Sequence, residues 1–353
     1  SQSMDKKHNY CMLLAGGKGV RLWPYSRAEK PKQFIDFFGT GQSLLQMTYQ
    51  RVRPLFDNEH IFVLTHQDYA HHVKEQLPEI ADENILLESQ FRNTAPAITW
   101  AATYLYTIDP DANMAVLPTD QVILNEPGFR SCLEQGLDFV NDGTKLLTLV
   151  VKPTRPDTTY GYIQVSDEKE DGMLRVQSFT EKPQPDFAKL FMDCGEFYWN
   201  VGIFLWSVNG LLNTVMKHIP EIAEKVEIGR TSEDIYAACP NLSIDYGILE
   251  RSKDVFAMVC TFGWMDVGSW EQYYQMSPKD SNENVIGTNQ VLAYNSQRNL
   301  IQLPNEKLVV VEDLNDFIVM EQRDVLLICP RSKAANIRKY VNDVQVYWGD
   351  EFV

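Results

Sequence analysis

Short apolar runs alternate with helical-period stretches through the first half of the chain. The runs CMLLA (11–15), HIFVLT (60–65), NILLE (84–88), NMAVLP (113–118) and LLTLVV (146–151) have the length and aliphatic content of strands buried on both faces. Between them, SLLQMTYQRVRPL, QDYAHHVKEQL, APAITWAATYLY and GFRSCLEQGLDFV place apolar residues at helical spacing. This alternation predicts βαβ units with right-handed crossovers and an open, mostly parallel, Rossmann-like sheet. Ligands of such sheets bind at the carboxyl ends of the strands.

The second half carries more strand signals, in YGYIQVS, LRVQSFTEKP and YWNVGIFLWSV. After about Asn282 the pattern changes to short strands and turns, NVIGTNQVLAYNSQRNLIQL and KLVVVEDLNDFIVMEQRDVLLICP, and closes on a helix near KAANIRKYVNDV. The reading is therefore an α/β fold with a large domain over 4–282 and a small C-terminal β-rich domain over 283–353. No repeat of 20 to 50 residues and no low-complexity linker stands out.

Composition narrows the class. With 353 residues, 44% hydrophobic and 23% charged, the chain resembles an ordinary soluble enzyme, and no segment approaches the roughly 20 apolar residues of a membrane span. No secretion signal is evident. Six cysteines are dispersed, with no CxxC and no Cys/His ligand spacing, so a reduced, cytoplasmic protein is expected. A formal net charge of −16 argues against a nucleic-acid partner, because phosphate-backbone affinity needs many cationic contacts.

That acidity makes one segment conspicuous. In LLAGGKGVRLWPYSRAEKPKQF (13–34), Lys18, Arg21, Arg27, Lys30 and Lys32 stand against a single carboxylate, Glu29. The buried run CMLLA leads into Gly16, Gly17 and Gly19, a glycine-rich turn whose backbone amides can approach a phosphate closely. Neither a Walker loop nor a GxGxxG fingerprint is present. A tight strand exit would explain the glycines alone, but the one-sided charge points to an anion.

AGGKGVRLWPYSRAEKPKQF resembles the N-terminal signature of the sugar-1-phosphate nucleotidyltransferases, in the form typical of the mannose-1-phosphate guanylyltransferase branch. The PKQF ending and RNTAPAI (92–98) are closer to that branch than to the uridylyl or thymidylyl ones, and VLPTDQVI, FTEKP, YWNVGIFLW, SIDYGILE and WMDVGSW continue the likeness. The resemblance implies transfer of GMP from GTP to mannose 1-phosphate, forming GDP-mannose and releasing pyrophosphate. No protein nucleophile is required, so the site must supply positioning and charge neutralisation.

By this likeness Ala15, Gly16, Gly17 and Gly19 would cradle the nucleotide, and Arg21 and Lys32 would neutralise the transferring phosphates. Arg27 and Lys30 could equally be solvated. Mg²⁺ takes oxygen ligands, and Asp120, just beyond the strand MAVLP, and Asp266, in WMDVGSW, are the candidate ligands. Each also has a simpler reading: Asp120 as a cap or turn, and Asp266 beside a helix start where Ser269 and Gln272 could form a capping box.

Arg92, Asn93 and Thr94 would meet the base, with Asn93 or Thr94 independently expected as a helix N-cap ahead of Pro96. Lys182 would present a charge to the sugar phosphate, and Glu181 would accept from sugar hydroxyls. An exposed Glu–Lys pair is the plainer reading of both. Gly161 would let the sugar lie against backbone, Asn200 needs partners that a ligand hydroxyl could supply, and Asp245 would support the sugar or a neighbouring loop.

Many bacterial relatives carry a further isomerase domain of the cupin type, so a single activity is expected here. Tyr25 stands where Leu is commoner in WPYSR. Alternatives are a guanylyltransferase for fucose or heptose 1-phosphate, or a non-catalytic regulatory subunit that binds nucleotide sugars. The β-rich end offers strand edges through which two copies could pair as a homodimer.

Overall fold

The computed structural model describes residues 6–17, 19–226, 238–287 and 290–353; Lys18 lies outside them. The chain divides into two compact units. The first gathers residues up to Gly16 with Gln46–Thr119 and Ile123–Trp264, and the second gathers Gly17–Leu45, Asp120–Val122 and Met265–Val353.

The first unit is built on a nine-stranded sheet. Its early strands are β1 (Asn9–Leu14), β2 (Ile61–His66), β3 (Ile85–Glu88) and β4 (Asn113–Pro118), four of the five runs read as buried strands. A short β5 (Gln121–Ile123) follows, then β6 (Leu146–Val151), β7 (Tyr162–Glu170), β8 (Met173–Thr180), β9 (Phe197–Ser207) and β10 (Val255–Cys260). The order in the main sheet is β3-β2-β1-β4-β9-β6-β10-β8-β7. β1 pairs in parallel with β2 and β4, β2 with β3, and β6 with β10, while β9 runs antiparallel to β4 and β6. β8 is antiparallel to β10 and β7, so every strand of this sheet except β8 and β9 runs the same way.

The chain passes from β1 outward to β2 and β3, then returns to place β4 on the other side of β1. The strand ends of β1 and β4 therefore form the topological switch point at which open α/β sheets bind ligands. The helix Thr94–Ile108, which connects β3 to β4, is buried around most of its circumference. Its Ile98, Ala101, Ala102 and Leu105 share one core with Leu211 and Val215 of the helix Val208–His218. A helix this apolar on all sides is stable only inside a domain.

In the second unit the β-rich end forms parallel coils. β12 (Gln290–Tyr294) pairs with β14 (Leu308–Glu312), and β13 (Leu300–Gln302) with β15 (Phe317–Gln322), each residue facing its counterpart eighteen positions on. β16 (Val325–Pro330) closes this sheet antiparallel to β15. Fully buried Asn299 ties successive coils together: its amide donates to the Leu314 carbonyl at 2.7 Å, and its Oδ1 accepts from Phe317 N–H at 2.9 Å. Among the described residues this spacing recurs over a pair of coils, too short a run to leave a strong trace in the sequence. Among the described residues no helix is long and apolar enough to cross a membrane.

Candidate active site

In the second unit, Gly17 and Gly19 lead into a single 3-10 turn, Val20–Leu22, which leaves Arg21 exposed. Gly19 has φ +60°, and a Cβ there would stand 2.8 Å from Cγ of Lys32. The glycine thus serves two needs, a left-handed backbone and room for the Lys32 stem. Gln33 donates to the Gly17 carbonyl at 2.9 Å, which pins the loop to the turn Lys32–Phe34.

Lys32 is the centre of a charged cluster. Its Nζ lies 2.8 Å from Oδ2 of Asp120 and donates to the Val267 carbonyl at 3.3 Å. Val267 N–H in turn donates to the Asp120 carbonyl at 3.0 Å, bringing the segment at the start of β5 and the segment after β11 (Trp264–Asp266) together. Burial works against the ammonium charge, but Asp120 and then Asp266 outweigh it and hold the Lys32 pKa above its ordinary value. A lysine kept cationic between two carboxylates is arranged for anionic chemistry rather than for general base work.

The capping role that Asp266 could have filled belongs to its neighbours. Ser269 Oγ accepts from Gln272 N–H at 3.2 Å, and Gln272 Oε1 accepts from Gly268 N–H at 2.9 Å. Gly268 is needed here, since a Cβ would fall 2.6 Å from Oδ2 of Asp266. Asp120 and Asp266, which both act on the Lys32 ammonium, are the carboxylates of this cluster that could hold a divalent cation. Among the described residues, the metal-capable group of three is a different one, His8, Asp109 and Asp111, where His8 Nδ1 is already 2.7 Å from Asp109.

In the first unit, the carboxyl ends of β1, β2 and β3 hold other residues read as nucleotide-binding. Ala15 N–H donates to the Leu64 carbonyl at 2.8 Å, and Thr65 Oγ1 donates to the Ala15 carbonyl at 2.7 Å. Thr119 Oγ1 donates to the Leu14 carbonyl at 2.7 Å, tying β1 to the end of β4. These bonds leave Gly16 just past the carboxyl end of β1, beside Glu88, whose Oε1 would be 3.7 Å from a Cβ on that glycine.

Sequence reasoning misses Glu88. It is 5% exposed, its Oε2 is buried without a hydrogen-bond partner, and desolvation pushes its pKa up to about 8. A buried carboxyl without a cation or a full set of donors is an unusual expense in a core. The available sequence signal is an acidic residue closing the apolar run NILLE at a strand's carboxyl end.

Asn93 is the N-cap of the helix Thr94–Ile108, with φ 68° and Oδ1 accepting from Thr94 N–H at 2.8 Å. Thr94 Oγ1 accepts from Ile244 N–H at 2.8 Å, and Ala95 N–H donates to the Leu242 carbonyl at 2.9 Å. The helix start is thereby locked to the segment before Asp245. Arg92 donates to Gln90 Oε1 at 3.0 Å and is half-buried in the loop.

A third group is formed by Gly161, Asn200 and Asp245. Asn200 N–H donates to the Gly161 carbonyl at 2.8 Å, and its side chain donates to Asp245 Oδ1 at 2.8 Å while accepting from Gly202 N–H at 3.1 Å. A Cβ on Gly161 would strike the Phe179 ring at 2.7 Å. Burial raises the Asp245 pKa to about 6; the Asn200 hydrogen bond opposes that rise and the Glu181 charge adds to it. Glu181 is also bonded to the Tyr246 hydroxyl, whose pKa this contact and burial push up to about 12. Lys182, next in the chain, is exposed.

The chain matches the Nucleotidyl transferase family over residues 10–283. It is similar to a mannose-1-phosphate guanylyltransferase of Escherichia coli, 33% identical over 354 residues, covering 95% of this chain and 75% of that one. A second, from Salmonella montevideo, is 34% identical over 354 residues, with 95% and 74% covered. Among solved structures, a Thermus thermophilus protein described as a mannose-1-phosphate geranyltransferase superposes with a TM-score of 0.87 at 28% identity, over 96% of this chain and 99% of its own.

Proposed function

Since the chain belongs to the nucleotidyl transferase family, we propose that it transfers GMP from GTP to mannose 1-phosphate, forming GDP-mannose and pyrophosphate. The observation that carries the reading is Lys32, held cationic by Asp120 and Asp266 at the end of a glycine-rich turn. The guanylyltransferase names of the relatives give the substrates.

In this reading an oxygen of the sugar phosphate attacks the α-phosphorus, and the bond to the β-phosphate oxygen breaks. Lys32 and Arg21 balance the charge on the triphosphate, and the amides of Gly16, Gly17 and Gly19 donate to its oxygens as the substrate settles. Magnesium on Asp120 and Asp266 would supply further positive charge to the same phosphates. Gly161, Asn200 and Asp245 position the sugar with Glu181, and Lys182 meets its phosphate.

Glu88 supplies the acceptor that guanine selection needs. Guanine presents N1–H and N2–H₂ side by side, and an ionised carboxylate can take both. Adenine offers no such pair, and a uracil offers one imide donor only. Ala15, Arg92, Asn93 and Thr94 complete the base pocket in this reading. A non-catalytic subunit would be expected to have lost the cations or carboxylates, whereas Arg21, Lys32, Asp120, Lys182 and Asp266 are all present.

The test is pyrophosphate release by the purified chain with Mg²⁺, each NTP in turn and a panel of sugar 1-phosphates. GTP with mannose 1-phosphate should turn over fastest. Turnover with another pair, or fucose or heptose 1-phosphate preferred over mannose, would replace the substrate assignment.

A further inference from the structure

Two tryptophans, in WPYSR and at the end of WMDVGSW, have no part in the reaction above, yet both are buried: Trp23 is 5% exposed and Trp270 fully enclosed. A buried indole N–H needs an acceptor. Trp270 Nε1–H donates to the Trp23 carbonyl at 2.9 Å, and Trp23 Nε1–H donates to the Phe352 carbonyl at 2.8 Å. The two bonds form a relay within the second unit, in which Trp23 accepts on its backbone and donates from its ring.

Both tryptophans sit beside the charged cluster. Trp23 N–H donates to the Val20 carbonyl at 3.0 Å and so closes the turn Val20–Leu22 that presents Arg21. Trp270 opens the helix capped by Ser269, four positions after Asp266 and three after Val267, whose carbonyl receives Lys32. The Trp270 ring is held in place: Tyr25, Phe37 and Tyr273 meet it edge-on, with centroids 5.4, 5.9 and 5.4 Å away. Packing is looser on the other side of the loop. A cavity of about 260 Å³ is lined there by Val20, Trp23 and Ser26 and by Val341 and Gln345 of the helix Ile337–Trp348. Hydrogen bonds therefore do more than contact to anchor that side, from Trp23 to Phe352 and from Ala28 N–H to the Val353 carbonyl at 2.9 Å.

We propose that Trp23 and Trp270 are positioning residues for nucleotidyl transfer. Their relay fixes the turn carrying Arg21 against the segment carrying Asp266 and Val267, so that Arg21 and Lys32 meet the same phosphates. Neither ring touches substrate. This role rests on the proposed activity. Preorganised charge acts where charge develops in the transition state, so a displaced Arg21 lowers kcat more than it raises KM.

Pyrophosphate release by the full chain, with its preferred substrate pair, is the test. Trp270→Phe keeps a ring but strands the buried Trp23 carbonyl; kcat should fall about tenfold while KM for GTP changes less than about twofold. Trp23→Phe opens only the bond to half-buried Phe352 and should lose about threefold in kcat with an unchanged melting temperature. It carries the test if Trp270→Phe fails to fold. Arg21→Lys identifies the route: in that background the loss from either tryptophan variant should shrink to less than about twofold, because both changes act through one side chain. The same loss in both backgrounds would make the tryptophans structural only and overturn the proposal, as would a wild-type kcat in Trp23→Phe. No pyrophosphate release by the wild type with any pair would overturn the activity itself, and this role with it.

Discussion

Lys32 and Asp120 are joined by a 2.8 Å contact between Nζ and Oδ2, with Asp266 close enough to add its charge to the same ammonium. Lys32 has a folded pKa above its ordinary 10.5, so its contribution to stability is full below that pH and is lost as pH rises through the folded value. Asp120→Asn removes the larger of the two supports. The variant should lose about 10²–10³-fold in kcat and begin alkaline unfolding at a lower pH than the parent, followed by circular dichroism.

Asp266→Ala separates metal binding from capping. Ser269 and Gln272 hold the helix start without it, so the melting temperature should change little while Mg²⁺-dependent turnover disappears. Retained turnover would remove Asp266 from the metal site.

Glu88→Gln tests base selection. The wild-type carboxyl, with a pKa raised from 4.5 to about 8, loses stability relative to its unfolded state as pH rises from 4.5 to 8, up to about 5 kcal/mol. The variant should therefore match wild type near pH 4.5 and exceed it above pH 8. Because guanine needs the ionised form, GTP binding at pH 7 should release a proton, visible as buffer-dependent binding enthalpy. In the variant that release should vanish, and GTP preference over other NTPs should drop by about 10–100-fold.

Asp245→Asn probes the same balance in the group of Gly161, Asn200 and Asp245. The folded pKa of about 6 lies above the ordinary 3.8, so ionisation opposes folding as pH rises from 3.8 through 6. Asn keeps an acceptor for Asn200. It should raise the melting temperature at pH 8 and leave it unchanged near pH 4.

Gly19→Ala and Gly17→Ala should part company. At Gly19 a methyl meets Lys32 at 2.8 Å on a left-handed backbone, whereas at Gly17 nothing lies within 4 Å. The first should lower both stability and kcat; the second should raise KM for GTP and leave the melting temperature alone.

Apolar runs between 11 and 151 announced most of the early strands of the main sheet, because strands buried on both faces must be continuously apolar. The cap at Asn93 and the Ser269–Gln272 pair were legible for the same local reason: their partners lie within a turn. Lys32 could be suspected from its segment, since one-sided charge in an acidic chain is itself a signal. What no stretch of sequence could carry was which carboxylates meet that ammonium, because Asp120 and Asp266 reach it only through the separate returns of the chain after β4 and β10. Glu88 and the coils tied by Asn299 were hidden for a related reason. An acidic residue ending a strand looks the same whether its carboxyl is solvated or dry, and an asparagine shows its partners only when coils stack. The residues and their local elements were set by the sequence; burial, pairing and charge balance arose from long-range packing, which periodicity does not encode.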